Sequence, residues 1–300
     1  MQDFATLCKP MNAIRHKMPW WARIALKLVL SRIPLRYSVW QLLHLFRHGA
    51  MDDPGYAISV FEAHWNASRP NMNSCPDVAI ELGPGDSLAS AVIAYAHGID
   101  CIKLVDAGPF AQTNMDLYHR TAEALAARGL RHCELGDAVD VAQMLRHCGG
   151  EYLTEGVASL ERLPPNFVGW IWSQAVLEHI RLEDVDRLIA AMRRIMRKGA
   201  IASRRIDLKD HLGGGLNSLR FGTIFWERNE FAFRSGFYTN RLRARDWLQK
   251  FETGGFEIIS TEIRRWETVP LDRAKLASEF QDLPDSELKI SGIDLLLRAT

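Results

Sequence analysis

Residues 77–90, DVAIELGPGDSLAS, join a short apolar run to two closely spaced glycines and then to small residues that suit the start of a helix. In parallel α/β sheets, a strand that ends in such a turn and continues into a helix forms one wall of a ligand crevice. Glycines at the turn let a ligand approach the backbone closely. This stretch therefore predicts an α/β fold with a ligand site at the end of its first strand.

Alternating strand and helix patterns continue from residue 77 to the end of the chain, which favours a largely parallel sheet with helices on both faces. The predicted strands cover 78–82, 101–107, 151–157, 167–174, 200–207, 256–266 and 293–299. The predicted helices cover 86–97, 111–128, 137–149, 182–199, 243–253 and 272–281. We expect a Rossmann-like, seven-stranded, mostly parallel sheet over residues 75–300, preceded by a helical extension or lid over residues 1–74.

The first 50 residues are strongly basic, with eight lysines and arginines against one acidic residue. The apolar stretch 20–46 is interrupted by charges and a proline, so it lacks an uninterrupted span of membrane length and the order of a signal peptide. Two interpretations stay open, namely amphipathic helices that pack on the main domain, or a basic face that contacts an anionic membrane through residues 15–47. We expect a cytoplasmic protein, with peripheral contact at the inner membrane as the alternative.

The five cysteines are scattered without a CxxC pair, which fits reduced thiols in a cytosolic protein. Two His-Cys pairs, at 132–133 and 147–148, match no familiar zinc spacing, so we expect no metal site. The formal net charge of +1 gives no reason to expect nucleic acid as a partner.

Three residues near the glycine turn narrow the choice of ligand. Leu88 stands where a dinucleotide fingerprint needs a third small residue, which counts against a pyrophosphate, and no Gly-Lys-Ser/Thr follows for a phosphate loop. Asp106 ends the second predicted strand, where an acid commonly binds ribose hydroxyls. Glu81 would repel a pyrophosphate but suits the ammonium group of a methionine moiety; alternatively it only accepts hydrogen bonds from the turn.

The segments ELGPGDS (81–87), LVDA (104–107) and FVGWIWSQAVLEHI (167–180) occur in this order at fitting distances, and together they resemble the class I S-adenosylmethionine-dependent methyltransferases. The run IDLKDHLGGGLNSLRF (206–221) is similar to a bacterial subgroup that methylates small molecules and sugars. The resemblance covers about residues 75–265 and implies S-adenosylmethionine as cofactor. It implies that the cofactor is held by Glu81, Gly83, Gly85, Asp106, Ala107, Gly156, Val157, Ser173 and Gln174, with Glu155 beside the adenine.

One position departs from the family pattern, because Gly169 stands where the family usually has an acid at the start of its fourth strand. This departure motivates an alternative in which the chain is a catalytically inactive partner subunit with a methyltransferase fold. A nicotinamide oxidoreductase is a third alternative.

Methyl transfer to a hydroxyl needs alignment and a base, and such groups belong at the carboxyl ends of the fourth and fifth strands. His179 follows the fourth strand, Asp207 ends the fifth, and His211 comes four residues later, so these three are the catalytic candidates. Each could instead cap a helix or form a turn. The glycines at 213–215 suit a mobile lid or a tight bend.

The insertion at about 208–242 is rich in aromatic residues and arginines, which predicts an acceptor pocket or, alternatively, a small core of its own. Arg220, Arg241 and Arg243 are candidates for holding a phosphate or carboxylate on the acceptor. The Pro-Pro pair lies before the fourth strand rather than after it, which argues against DNA bases as acceptors. We expect a small-molecule acceptor, a sugar or other hydroxylated metabolite; a lipid or quinone at the membrane surface is the alternative.

Overall fold

The computed structural model describes residues 53–136, 138–228 and 237–300. The basic segment 15–47, most of the expected extension 1–74 and residues 229–236 of the insertion therefore lie outside the described residues. No helix in the described part is long and apolar enough to cross a membrane.

Seven strands form one sheet in the order β3-β2-β1-β4-β5-β7-β6. The strands are β1 Val78–Leu82, β2 Cys101–Val105, β3 Gly150–Leu153, β4 Val168–Gln174, β5 Met196–Asp207, β6 Phe256–Arg265 and β7 Ile290–Ala299. Strands β1 to β5 are parallel to one another, whereas β7 runs antiparallel between β5 and β6. The predicted seven-stranded, mostly parallel sheet is confirmed.

Helices cover both faces of this sheet. They are α1 Pro54–Ser68, α2 Ala89–Ala96, α3 Met115–Ala127, α4 Val141–His147, α5 Val157–Arg162, α6 Val185–Ile195, α7 Thr223–Trp226, α8 Ala244–Thr253, α9 Ser278–Gln281 and α10 Asp285–Leu288. Alternation along β4 sends Trp170 and Trp172 to one face, where both rings pack against Phe61 of α1 at 5.4 and 5.2 Å. Ile171 packs into the other core, with Met192 of α6 and Phe251 of α8.

Strand register brings the carboxyl ends of β1, β2 and β4 to one edge. Leu82 lies opposite both Val105 and Ser173, so the loops that follow these strands are neighbours. The Glu81 and Asp106 positions are therefore close in space, although they are 25 positions apart in the sequence. This edge is where a parallel α/β sheet builds its ligand crevice.

Two predicted boundaries are wrong for identifiable reasons. The helix predicted over 182–199 ends at Ile195, because β5 begins at Met196, which pairs with Val168. The strand predicted over 151–157 ends at Leu153, because Gly156 has φ +56° and caps α5, a helix that was not predicted. Positive φ is incompatible with an extended strand, so the chain must turn there.

Close packing explains why position 169 is a glycine. A Cβ at this position would lie 2.9 Å from the Cβ of Pro76, which is closer than side-chain carbons approach each other. The start of β4 thus packs directly against the segment that leads into β1. Because close packing accounts for this glycine, its departure from the family pattern is not by itself a sign of lost activity.

Candidate functional site

A cavity of about 480 Å³ lies at the carboxyl edge of the sheet. Eleven of the residues predicted for the site line it, namely Glu81, Gly83, Gly85, Asp106, Ala107, Gly156, Val157, Gln174, His179, Asp207 and His211. They come from the loops after β1, β2, β3, β4 and β5, which converge because parallel strands end at the same edge.

The glycine turn after β1 forms the floor of the cavity. Gly83 and Gly85 have φ values of +68° and +66°, which side chains rarely adopt. A Cβ on Gly83 would also lie 2.4 Å from a methyl carbon of Val176, so this position has no room for a side chain. The backbone of the turn is therefore open to a ligand at both glycines.

Asp106 is held rigidly beside that turn. Its Oδ2 accepts a hydrogen bond from the Gly85 amide at 2.9 Å, and its Oδ1 accepts one from the Ala107 amide at 2.7 Å. The backbone on either side is also bonded, since the Asp106 amide donates to Leu153 and the Gly156 amide donates to Asp106, both at 2.8 Å. The carboxylate is thus oriented before any ligand arrives.

Glu81 is the buried acid of the turn, with 3% of its surface exposed. Burial raises the pKa of its carboxyl to about 8; a hydrogen bond with the Ser90 hydroxyl opposes the rise, and the nearby Asp106 carboxylate adds to it. Its Oε2 atom is buried and makes no hydrogen bond of ordinary geometry among the described residues, although the Trp172 ring N–H, also unpaired, is close enough to lower the pKa of this carboxyl. Such an oxygen at a cavity wall is a ready acceptor for a ligand N–H group.

Glu178 is a second buried carboxyl in the cavity, and it was missed by the sequence analysis. Burial raises the pKa of Glu178 to about 8, and the neighbouring Asp207 carboxylate acts in the same direction. Its Oε1 accepts a hydrogen bond from the Asp207 amide at 3.3 Å. The segment is held in place by Asn240, whose amide donates to the Glu178 carbonyl at 2.7 Å. The sequence indicated Glu178 only by its position in the run SQAVLEHI, where the adjacent His179 was chosen as the candidate.

The three catalytic candidates all line the cavity, and two of them are in contact. His179 and His211 are exposed, and their rings stack with centroids 4.9 Å apart. His179 Nδ1 donates a hydrogen bond to the Tyr238 carbonyl at 3.0 Å, so Nε2 carries the lone pair in the neutral ring. Asp207 forms an ion pair with Lys209 at 3.3 Å.

Gln174 reaches the cavity from the end of β4, and its side chain is tied to α1. Its Oε1 and the Nε2 of His64 are 3.0 Å apart, and Nδ1 of the same ring lies 2.7 Å from the Ser203 hydroxyl. Burial lowers the pKa of His64 to about 4, which keeps this ring neutral. His64 was not predicted, because nothing in α1 indicates a contact with a residue 110 positions later.

Two residues that the resemblance assigned to the cofactor do not line the cavity. Ser173 is fully buried, because the alternation of β4 turns its side chain into the core while Gln174 reaches the cavity. Glu155 is exposed and forms an ion pair with Arg162 at 2.6 Å. The assignment of Ser173 to the wall of the site is therefore corrected.

The three arginines proposed for an acceptor anion lie outside the lining of the cavity. Arg243 is 2% exposed and donates to the carbonyls of Leu208, Glu287 and Ile290. Arg241 donates to the Phe221 carbonyl and the Thr223 hydroxyl, while Arg220 donates to Asn217. Arg241 and Arg243 thus hold the inserted segment together.

The glycines at 213–215 form a tight bend. Asp210 accepts hydrogen bonds from the Leu212 amide at 2.8 Å and from the Asn217 amide. The Asp210 backbone also bonds with Gly214 and Gly215, at 3.1 and 2.9 Å. These bonds close the segment on itself, which fits the bend rather than the mobile lid.

Carboxyl groups dominate the ionisable lining of the cavity. Four of them line it, those of Glu81, Asp106, Glu178 and Asp207, and no lysine or arginine does among the residues that the structure describes. Their negative charge is limited, because burial raises the pKa of Glu81 and Glu178 and because Asp207 is paired with Lys209. A bound cation would favour the ionised carboxyls, whereas an anion would meet no lysine or arginine in this lining. No cluster of three or more metal-ligating side chains occurs in the described ranges.

The chain matches no family model and no curated protein. Solved structures resemble it at a low level. An S-adenosylmethionine-dependent methyltransferase from Mesorhizobium loti is 16% identical, with 79% of this chain and 97% of that chain covered and a TM-score of 0.41. A second one, from Methanosarcina mazei, is 13% identical, with 74% of this chain and 92% of that chain covered and a TM-score of 0.42. The [4+2]-cyclase SpnF is similar to the same degree, with 15% identity, 81% of each chain covered and a TM-score of 0.42. Likeness at this level does not establish an activity for this chain.

Proposed function

We propose that the protein is an S-adenosylmethionine-dependent methyltransferase that acts on a hydroxyl group of a small molecule. The observation that carries the proposal is the acidic cavity, with four carboxyl groups and no lysine or arginine in its described lining. S-adenosylmethionine carries an ammonium, a sulfonium and one carboxylate, so its net charge is positive, and a cavity lined by carboxyl groups favours such a ligand. A nicotinamide dinucleotide carries a pyrophosphate, for which this lining offers no lysine or arginine. This contrast disfavours the oxidoreductase alternative.

The residues present fit the cofactor. The partnerless Oε2 of Glu81 suits its ammonium group, and the side-chain-free backbone at Gly83 and Gly85 permits close approach. The oriented Asp106 carboxylate suits the ribose hydroxyls. The adenine is assigned to Ala107, Gly156 and Val157, and the neighbourhood of the sulfonium to Gln174. Bound there, the cofactor supplies an activated methyl group.

His179 is the proposed base. Its Nδ1–H is engaged by the Tyr238 carbonyl, so Nε2 is the ring atom that takes the proton from the acceptor hydroxyl. The Asp207 carboxylate on the same wall stabilises the imidazolium that results. His211 stacks on His179 and limits the rotation of its ring.

An uncharged acceptor agrees best with the surroundings. The arginines that could have held a phosphate or carboxylate donate to backbone carbonyls instead. A sugar or another polyhydroxylated metabolite offers hydroxyl groups to Glu178, Asp207 and His211 without adding negative charge to an acidic cavity. A hydroxyl acceptor is therefore the substrate class that we assign.

Calorimetric titration of the full chain with S-adenosylmethionine and, separately, with NAD tests the cofactor. We expect S-adenosylmethionine to bind and NAD to give no heat. Asp106→Ala is expected to weaken binding at least tenfold, whereas Asp116→Ala, which removes an exposed carboxylate on α3, leaves it unchanged. No binding of S-adenosylmethionine to the folded wild type would refute the proposal.

A second experiment addresses the acceptor. Pools of hydroxylated metabolites are incubated with the protein and S-adenosylmethionine, and the products are examined by mass spectrometry for a gain of one methylene. Neutral sugars and polyols are expected to react in preference to their phosphorylated forms. A product that forms only with phosphorylated or carboxylated acceptors contradicts the assignment of an uncharged substrate.

A further inference from the structure

Two cysteine thiols meet inside the protein on the side of the domain away from the cavity. Cys133 lies in the irregular segment between α3 and α4, and Cys148 follows directly on the last turn of α4. Their Sγ atoms are 3.0 Å apart, and both side chains are buried, with 1% and 0% exposure. Neither residue contributes to the cavity lining.

The two thiols differ in chemical character. A hydrogen bond from Cys148 lowers the pKa of Cys133, and the positive charge of Arg131 acts in the same direction. The neighbouring Cys133 sulfur and burial raise the pKa of Cys148. Cys133 is therefore the thiol that ionises first, and a thiolate is the form that reacts with oxidants. Cys148 is in contact with it, as a resolving thiol must be.

Access to Cys133 requires movement of the segment that carries it, because its side chain packs in the hydrophobic core. The residues on either side of it, His132 and Glu134, are exposed, and the segment belongs to no helix or strand. Segments without backbone ladders open at a low free energy compared with the core. Cys133 can thus meet a small oxidant while the sheet stays folded.

We propose that Cys133 and Cys148 form a reversible dithiol–disulfide pair that is oxidised by peroxides. The proposal stands independently of the proposed methyl transfer. The pair joins the loop after α3 to the entrance of β3, which is an edge strand of the sheet. The disulfide therefore ties down the edge of the sheet that has only one neighbouring strand.

The reaction balances with hydrogen peroxide as the oxidant. The Cys133 thiolate attacks one peroxide oxygen, the O–O bond breaks, hydroxide leaves, and Cys133 becomes a sulfenic acid. The Cys148 sulfur then attacks the Cys133 sulfur, the S–O bond breaks, and a second hydroxide leaves. The two thiol protons convert these hydroxides to water. Two thiols are oxidised to one disulfide, and one peroxide is reduced to two waters.

The test uses the full chain, reduced and then freed of reductant. Hydrogen peroxide is added, remaining thiols are alkylated in denaturant, and the peptides are mapped by mass spectrometry. We expect a cross-linked Cys133–Cys148 peptide, a loss of two hydrogens from the intact mass, and recovery of both thiols with dithiothreitol. Because the bond closes a loop between residues 15 positions apart, the melting temperature is expected to rise by roughly 5–10 °C.

Three variants separate the roles of the thiols. Cys133→Ser is expected to abolish the mass loss, and Cys148→Ser to leave Cys133 as a sulfenic acid that dimedone traps. Cys101→Ser, which changes a cysteine outside the pair, should behave as wild type. The proposal is overturned if the oxidised wild type yields no Cys133–Cys148 peptide, or if the disulfide joins other cysteines. The wild-type peptide map decides this even if a variant fails to fold.

Discussion

The ring of His64 and the side-chain amide of Gln174 lie 3.0 Å apart, which links α1 to the wall of the cavity. The other ring nitrogen of His64 contacts the Ser203 hydroxyl on β5 at 2.7 Å. One buried imidazole thus bridges the adjacent strands β4 and β5 and fixes which way the Gln174 amide faces. Within the proposed function, His64 is a positioning residue that acts on the site through Gln174.

Replacing His64 tests this link. His64→Phe fills a similar volume without the hydrogen bonds, whereas His64→Ala also leaves a cavity. We expect S-adenosylmethionine to bind both variants several-fold more weakly, and His64→Ala to lose about 2–4 kcal/mol of unfolding free energy, more than His64→Phe. Calorimetry and urea unfolding measure the two effects. His132→Ala, in an exposed loop, is the control. Wild-type affinity in His64→Phe would show that the bridge does not position Gln174.

Glu178 makes stability depend on pH. Its pKa is about 8 in the folded protein against an ordinary value of 4.5, so its stabilising contribution is complete below pH 4.5 and is lost as the pH rises to 8. Glu178→Gln removes this pH-dependent contribution. The unfolding free energy of the variant should therefore fall less steeply between pH 5 and pH 8.5 than that of the wild type. The difference in slope should amount to a few kcal/mol over that range.

Urea unfolding at several pH values measures the effect of Glu178. Glu81 contributes a similar decline and stays in place, so the Glu178→Gln curve becomes flatter without becoming level. Glu252→Gln, on the exposed side of α8, is the control and should follow the wild-type curve. A Glu178→Gln protein with the wild-type slope would mean that this carboxyl is ionised throughout.

Gly83→Ala should damage both folding and cofactor binding. The new methyl group overlaps with Val176 and the residue has φ +68°, so steric overlap and backbone strain both destabilise the folded protein. We expect a loss of about 2–4 kcal/mol in unfolding free energy and no measurable binding of S-adenosylmethionine. Gly129→Ala is the matched control, because Gly129 has φ +78° with open space around it. It should show only the cost of the backbone conformation, about 1 kcal/mol. Equal losses in the two variants would exclude the overlap with Val176.

Arg243 is expected to support folding rather than recognition of an acceptor. Arg243→Met keeps most of the side-chain volume but leaves the carbonyls of Leu208, Glu287 and Ile290 without their donor. We predict a loss of about 3–5 kcal/mol in unfolding free energy. Arg245→Met, an exposed neighbour, should change stability by less than about 0.5 kcal/mol. Thermal unfolding of both variants measures this. A stable Arg243→Met protein would contradict the role assigned to the guanidinium.

Much of the sheet and of its ligand edge could be predicted from the chain alone. Helix patterns separate β1 from β2, β2 from β3 and β4 from β5, which favours parallel strands whose carboxyl ends lie at one edge of the sheet. For this reason Glu81, Asp106, His179 and Asp207 could be assigned to one site before their distances were known. The turn at Gly83 could also be predicted, because the need for a glycine at a positive φ is a local property of the backbone.

The tertiary structure decided the contacts between residues that are distant in sequence. The Cys133–Cys148 pair and the His64–Gln174 bridge arise from packing between separate elements. The local hydrophobic periodicity of a sequence does not indicate which distant residue is the partner. The burial of Glu178 likewise depends on the segment that closes over it, and so does its raised pKa. Hydrophobic spacing reports which face of an element is covered, whereas the identity of the covering residue depends on how the whole chain packs. That is why the sequence could predict which edge of the sheet carries the cavity, whereas the tertiary structure decided which side chains line it and how deeply they are buried.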